Sequence, residues 1–243
     1  MIIEYAMKKI IPNALTLSNL FFGFSACIMA SQDNIEAASL LILCSMVFDF
    51  LDGFAARLLK AYSDLGKELD SLSDLVSFGV APAMILFSLL SRNSLALSVM
   101  IIIAALIPLA SALRLAKFNN DQEQKYYFKG MPTPASALVV VAIVISSVYG
   151  NSKFVSGLVS NVTFLTALSV FLSVMMLVNV RMLSLKFTSM KFKGNEDRFI
   201  LIGLSLLSLV IFRLNALLVI ITIYIILSLV MSVIRALKGS SGA

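Results

Sequence analysis

Charge is scarce in this sequence. Asp, Glu, Lys and Arg make up 13% of the 243 residues, hydrophobic residues make up 60%, and the mean hydropathy is +0.99. A soluble domain carries about 25% charged residues, so that class is excluded. Cysteine is nearly absent as well. The two present, Cys27 and Cys44, both fall inside apolar runs, which argues against a disulfide scaffold or a thiolate zinc site and reads as two small buried hydrophobes. A cleavable signal peptide is not expected either. The first apolar run is long, has no small-residue cleavage site and follows Lys8-Lys9, so it is expected to stay in the membrane.

What is present is a series of apolar runs of roughly 18 to 23 residues, each long enough to cross the hydrocarbon core as a helix. They predict an all-α, polytopic transmembrane bundle of about eight spans, near 12–31, 35–58, 70–91, 94–115, 133–150, 160–180, 198–212 and 215–234. Residues 1–11 read as an interfacial amphipathic segment, with Pro12 opening the first span. Residues 181–238 read as a basic cytoplasmic loop followed by two extra spans, and 239–243 as an expression remnant. Net charge is +6, and its placement is informative. With the amino terminus inside, sixteen of the nineteen Lys and Arg lie at cytoplasmic ends and loops, against only Arg92, Lys153 and Arg213 opposite. By the positive-inside rule both termini are cytoplasmic and the span count is even. The basic face suits anionic lipid headgroups and nucleotides.

The acidic residues are placed with equal economy. Asp49 and Asp52 are three apart near the end of the second span, and Asp70 and Asp74 are four apart near the start of the third. Those spacings put each pair on one helix face, and a tight turn between the helices makes the faces meet. By helical rise Asp49 and Asp52 lie roughly 20 to 27 Å from the outer end of their span, and Asp70 and Asp74 lie within about 10 Å of the cytoplasmic face. All four thus reach one depth. Four anions in an apolar setting repel unless a cation lies among them, which reads as a divalent-metal site. Ionisable residues inside spans are functional by default.

Other residues gather around this stretch. Gly53 and Gly66 lack a Cβ and let a phosphate or a base approach the backbone, and Arg57, one turn past Gly53, can pair with phosphate oxygens. Asn13, Thr16 and Asn19 form a polar stripe on the first span that either bonds neighbouring helices or lines the carboxylate pocket. Ser73 and Ser77 extend the polar face of the third span, which Gly79 and Pro82 interrupt. Arg114 and Lys117 end the fourth span one turn apart, followed by Asn119; Lys117 reads equally well as a snorkelling anchor. Gly130, Pro132 and Pro134 then make a stiff, non-helical re-entry that holds Lys129 in place.

The pattern Asp49-x-x-Asp52-Gly53-x-x-Ala56-Arg57-x8-Gly66-x-x-x-Asp70-x-x-x-Asp74 resembles the signature of the CDP-alcohol phosphatidyltransferase family of integral membrane enzymes. The resemblance covers roughly residues 8 to 180. It implies a six-helix catalytic core at 12–180, a homodimer, and transfer of a phosphatidyl-type group from a CDP-linked lipid to an alcohol with release of CMP. Residue by residue, it implies that Asp49, Asp52 and Asp70 bind metal, that Asp74 is the base and a possible further ligand, and that Gly53, Ala56, Arg57 and Gly66 surround the CDP moiety, with Asn13 and Thr16 beside them. The segments Ile11 to Asn19, Ser77 to Ala83, Leu113 to Asn119 and Gly130 to Ala135 are similar to the serine-accepting, membrane-embedded branch. From this follow the expectations of CDP-diacylglycerol or CDP-archaeol as donor, L-serine as acceptor and two Mg²⁺ or Mn²⁺ ions. Arg114, Lys129, Asn119 and Lys117 are expected to hold the serine carboxylate. Membrane lipids are expected partners; nucleic acid is not. Two readings stay open beside it: the same chemistry with glycerol 3-phosphate or an inositol phosphate, and a cation or metabolite transporter. Transport would favour polar groups strung across the bilayer and repeated halves, and no inverted repeat of the Asp-bearing pair is found.

Overall fold

The structure is a computed structural model that describes residues 2–120, 128–150, 153–182, 196–212 and 215–240. Lys125, Lys186, Lys191, Lys193 and Arg213, most of the 181–198 loop and residues 241–243 lie outside the described residues. So do the side chains of Lys8, Lys129, Arg181, Arg198, Arg235 and Lys238.

The described chain is helical almost throughout. Helix α1 (Ile2–Ser31) and helix α2 (Ile35–Leu58) pack along each other as an antiparallel pair. Their turn is closed by Asp33 in the left-handed region at φ 59° and by Asn34, whose side chain accepts from Ala37 N–H at 3.1 Å. Asp33 is also tied to the far end of the third span. It accepts from the Ser88 hydroxyl and from Arg92 Nη2 at 2.8 Å, and these bonds hold its carboxyl below the usual range. Pro12 does not open α1 but sits inside it. A proline there removes one backbone donor, so the Lys8 carbonyl loses the helical bond it would otherwise accept.

The third span is one run of helix from Asp64 to Ser91 in three parts: α3 (Asp64–Asp74), a π-helical segment (Leu75–Val80) and α4 (Ala81–Ser91). In the π segment Ala81 N–H reaches back five residues to the Val76 carbonyl. The extra residue in that turn falls where the helices are closely packed. A Cβ on Gly23 of α1 would meet Ser77 Oγ at 2.1 Å, and one on Gly79 would meet Ser111 Cβ at 3.1 Å. Such π turns cluster at functional sites, and this one begins directly after Asp74.

Helix α5 (Leu97–Asn120) completes the inner group. Then β1 (Phe128–Lys129) leads to α6 (Thr133–Tyr149), whose residues from Val139 to Ser146 are all buried. Next come α7 (Lys153–Val159) and α8 (Val162–Leu177), bent by 76° against each other, and β2 (Arg181–Met182), which pairs antiparallel with β1. Finally α9 (Glu196–Phe212) and α10 (Ala216–Ser240) pack together, and α10 lies against α6 and β2.

Among the described residues five helices are long and apolar enough to cross a membrane, or six if the bent α7–α8 pair is counted as one span. Helix α6, at 17 residues, and the apolar stretch Gly203–Phe212 fall short of that length. Large apolar side chains such as Phe21, Phe24, Phe50 and Leu58 face outward on α1 and α2. That surface would be untenable in water and is the ordinary boundary with lipid.

Candidate metal and nucleotide site

The site is hung from α1. Its Thr16 hydroxyl donates to Asp52 Oδ2 at 2.6 Å or to the Pro12 carbonyl at 3.0 Å, and the Thr16 carbonyl accepts from Ser73 Oγ at 2.7 Å. One turn on, Asn19 Nδ2 donates to Asp74 Oδ1 at 3.3 Å. The Asn19 carbonyl accepts from Ser45 Oγ at 2.8 Å and Ser77 Oγ at 3.1 Å, and its side-chain oxygen also accepts from Ser45. Thr16, Asn19, Ser45, Ser73 and Ser77 are all buried. Of the polar stripe on the first span, Thr16 and Asn19 bond neighbouring helices, and Asn13 and Thr16 line the pocket described below, which Asn19 does not.

Asp49, Asp70 and Asp74 each offer a carboxylate oxygen, and the three oxygens lie within 4.8 Å of one another. A hard divalent cation binds oxygens at about 2.0 to 2.6 Å, so oxygens up to about twice that distance apart can share one ion. Among the described residues no Lys or Arg forms an ion pair with these carboxylates. Three half-buried carboxylates drawn together without an ion-paired cation are costly, and an all-oxygen donor set suits Mg²⁺ or Mn²⁺. Asp52 stands beside this group, only 5% exposed.

Against the cluster opens a pocket of about 250 Å³. Every residue expected around the CDP moiety lines it: Asn13, Thr16, Gly53, Ala56, Arg57 and Gly66, with Asp52 and Asp70 at its carboxylate end. Arg57 folds back over Gly53, where an added Cβ would lie 3.7 Å from its Nη1. A Cβ on Gly66 would meet Ser63 Oγ at 3.0 Å and Asn13 Oδ1 at 3.2 Å. At Gly66 a side chain would thus crowd the wall, whereas at Gly53 a Cβ would make only ordinary contact.

Ala61, Tyr62, Ser63 and Lys67 also line the pocket and were not foreseen. They follow the end of α2, where Lys60 takes a left-handed φ of 51° and turns the chain back, and Ser63 caps α3 by accepting from Gly66 N–H at 3.1 Å. Ala61, Tyr62 and Ser63 sit in the turn itself, which shows no periodicity, and Lys67 sits at the start of α3. The one usable signal was a cation, Lys67, next to the motif glycine.

The residues expected to hold an acceptor are less closely gathered. Arg114 is buried, 7% exposed, with Nη1 on the Thr133 hydroxyl at 3.4 Å, its guanidinium 5.8 Å from the Phe118 ring centre, and Nε without a partner. Its charge is close enough to interact with that of Asp74. Asn119 turns instead to α3: Nδ2 donates to Ser71 Oγ at 2.8 Å, and its carbonyl accepts from Lys67 Nζ at 2.8 Å. Lys117 is exposed. The backbone of Lys129 lies in β1.

Comparison with known proteins adds to this geometry. Residues 9–178 match the family model described as CDP-alcohol phosphatidyltransferase. The chain is 36% identical over 223 residues to the CDP-diacylglycerol–serine O-phosphatidyltransferase of Helicobacter pylori strain 26695, covering 90% of this chain and 89% of that protein. Proteins of the same name from Bacillus subtilis and Methanocaldococcus jannaschii are 40% identical over 133 residues and 39% identical over 139 residues. These stretches cover 55% and 56% of this chain and 74% and 62% of theirs.

Proposed function

The chain belongs to the CDP-alcohol phosphatidyltransferase family, and from that premise we propose that it makes phosphatidylserine, transferring the phosphatidyl group of CDP-diacylglycerol to the hydroxyl of L-serine with release of CMP. The observation that carries this reading is a single site in which three carboxylates converge and one of them, Asp70, together with Asp52 lines a pocket that also takes in every glycine, alanine and arginine of the motif.

Asp49, Asp70 and Asp74, with Asp52, would hold the metal, two ions in our reading. When bound, the metal supplies positive charge that neutralises the pyrophosphate and steadies the leaving CMP. The protein does the rest. Asp74 takes the proton of the serine hydroxyl, whose oxygen forms a bond to the lipid-bearing phosphorus as the bond from that phosphorus to the CMP oxygen breaks. Asn19 fixes the Asp74 carboxylate for that task by its hydrogen bond. With no histidine in the chain, a carboxylate is the natural base at neutral pH. Arg57 pairs with the phosphate of the departing nucleotide. Arg114 meets the serine carboxylate, for which its unpartnered Nε and its place near Asp74 suit it; Lys129, Asn119 and Lys117 are weaker claimants on the same group.

We further infer eight crossings, with α6 and the Gly203–Phe212 helix counted despite their length, both termini and the site cytoplasmic, and a homodimer in the cell membrane. The distribution of sixteen cations against three supports the orientation. The test of function is CMP release from CDP-diacylglycerol by the purified protein with Mn²⁺ or Mg²⁺, comparing L-serine, glycerol 3-phosphate and inositol phosphate. Release should depend on serine and vanish in Asp74→Asn. Release driven by glycerol 3-phosphate alone would leave the family reaction standing and overturn the acceptor.

A further inference from the structure

Lys67 is placed unlike any other cation of the described chain. It lines the nucleotide pocket, and its ammonium donates to the Asn119 carbonyl at 2.8 Å, at the last turn of α5. Helix α5 carries Arg114, the residue best suited to hold an acceptor carboxylate. Beside this contact Asn119 Nδ2 bonds Ser71 on the next turn of α3. The cytoplasmic end of α5 is therefore fastened to the helix that carries Asp70 and Asp74 by two bonds, one of which comes from a pocket residue.

An ammonium has three N–H donors, and one carbonyl uses one of them. Lys67 and Arg57 are the two cations that line the pocket, so an incoming phosphate finds Lys67 with donors to spare. We propose that Lys67 is a positioning residue shared by the two substrate sites: its ammonium bonds a phosphate of the bound nucleotide and the end of α5 together. The donor phosphate thereby fixes the helix that presents Arg114. This rests on the functional reading above and adds to it a coupling: occupancy of the nucleotide pocket by a phosphate strengthens serine binding, and by linkage serine strengthens nucleotide binding equally.

The experiment uses the full chain in lipid nanodiscs with Mn²⁺. Serine affinity is measured alone, with saturating CMP, and with saturating cytidine, which lacks the phosphate. In the unaltered protein CMP should tighten serine binding about fivefold or more, the lower range of such couplings, and cytidine should leave it unchanged. The readout is repeated with Lys67→Arg, which keeps both charge and bond, and Lys67→Gln, which can still donate to the Asn119 carbonyl but carries no charge. Coupling should survive in Lys67→Arg and fall to nearly one in Lys67→Gln. A purely structural strap would leave both variants coupled, and that result overturns the proposal. So does equal tightening by cytidine and CMP in the unaltered protein, an outcome that needs no variant to fold. Failure of the functional reading looks different: the unaltered protein would bind or turn over no serine under any condition.

Discussion

At the scale of single residues the structure separates side chains that make the site from those that hold it. Thr16 belongs to the second group, although it also lines the pocket. Its hydroxyl is the neutral donor to the buried Asp52 at 2.6 Å. Thr16→Val keeps the shape and removes the donor, leaving a carboxylate short of a partner in an apolar setting. If Asp52 is a metal ligand, the variant should weaken Mn²⁺ binding by about 10- to 100-fold, as the loss of a partner behind a ligand does, measured by titration of the purified protein. Unchanged affinity would leave the ion to Asp49, Asp70 and Asp74 alone. The four aspartates were legible in the sequence because their spacing of three and four matches the helical repeat and because charge is rare enough here for each one to stand out. Lys67 was not. It is one of many cations at the same ends of the helices, and only the fold shows that its ammonium reaches across to another helix.

At the scale of elements, what the sequence could not show is where regular helix gives way. The π segment after Asp74 has no periodic signature, because its cause is crowding against Gly23 on one side and Ser111 on the other. The bend between α7 and α8 likewise follows from an N-cap, Asn161, which accepts from Phe164 N–H at 3.0 Å in the middle of an apolar run. The stiff re-entry around Gly130 was legible from its glycine and prolines, yet its reason is tertiary. Gly130 has φ 77°, its N–H donates to the Val180 carbonyl at 2.8 Å, and Met131 N–H donates to the Met175 carbonyl at 2.8 Å. These bonds clasp the start of α6 to the end of α8, three residues before Thr133 meets Arg114. A Cβ on Gly130 would sit 2.5 Å from the Met176 carbonyl oxygen. Gly130→Ala should therefore destabilise the protein by at least about 1 to 2 kcal/mol, the cost of the left-handed backbone alone, and raise KM for serine more than KM for the lipid donor. Gly157→Ala, where a Cβ meets nothing within 4 Å, should do neither; thermal unfolding and initial rates on the two variants decide it.

At the scale of the whole molecule, the chain divides its chemistry between two ends. Asp33, Ser88 and Arg92 tie together the turns at the end of the bundle away from the carboxylates. About 25 Å of helical rise separates Ser91 from Asp74 at the other end of the same span. A transferase drawing a water-soluble amino acid and returning CMP needs its polar opening at one face only, whereas a transporter needs polar groups at both depths. The charge asymmetry reads the same way, and it was visible in the sequence because orientation depends on counts in loops rather than on any contact. The prediction is topological. In a background where Cys27 and Cys44 are replaced by alanine, the Lys153→Cys protein should react with a membrane-impermeant maleimide applied to intact spheroplasts. The Lys117→Cys protein should react only after the membrane is opened. Lys153 lies at the start of α7 and Lys117 in the last turn of α5, and both are exposed. The reverse pattern would place the carboxylate cluster on the outer face, where neither CDP-linked lipid nor serine is supplied from metabolism, and would break the link between this site and phosphatidyl transfer. Labelling of both residues from one side would instead mean an even number of crossings between them, none if α6 lies along the membrane surface instead of through it.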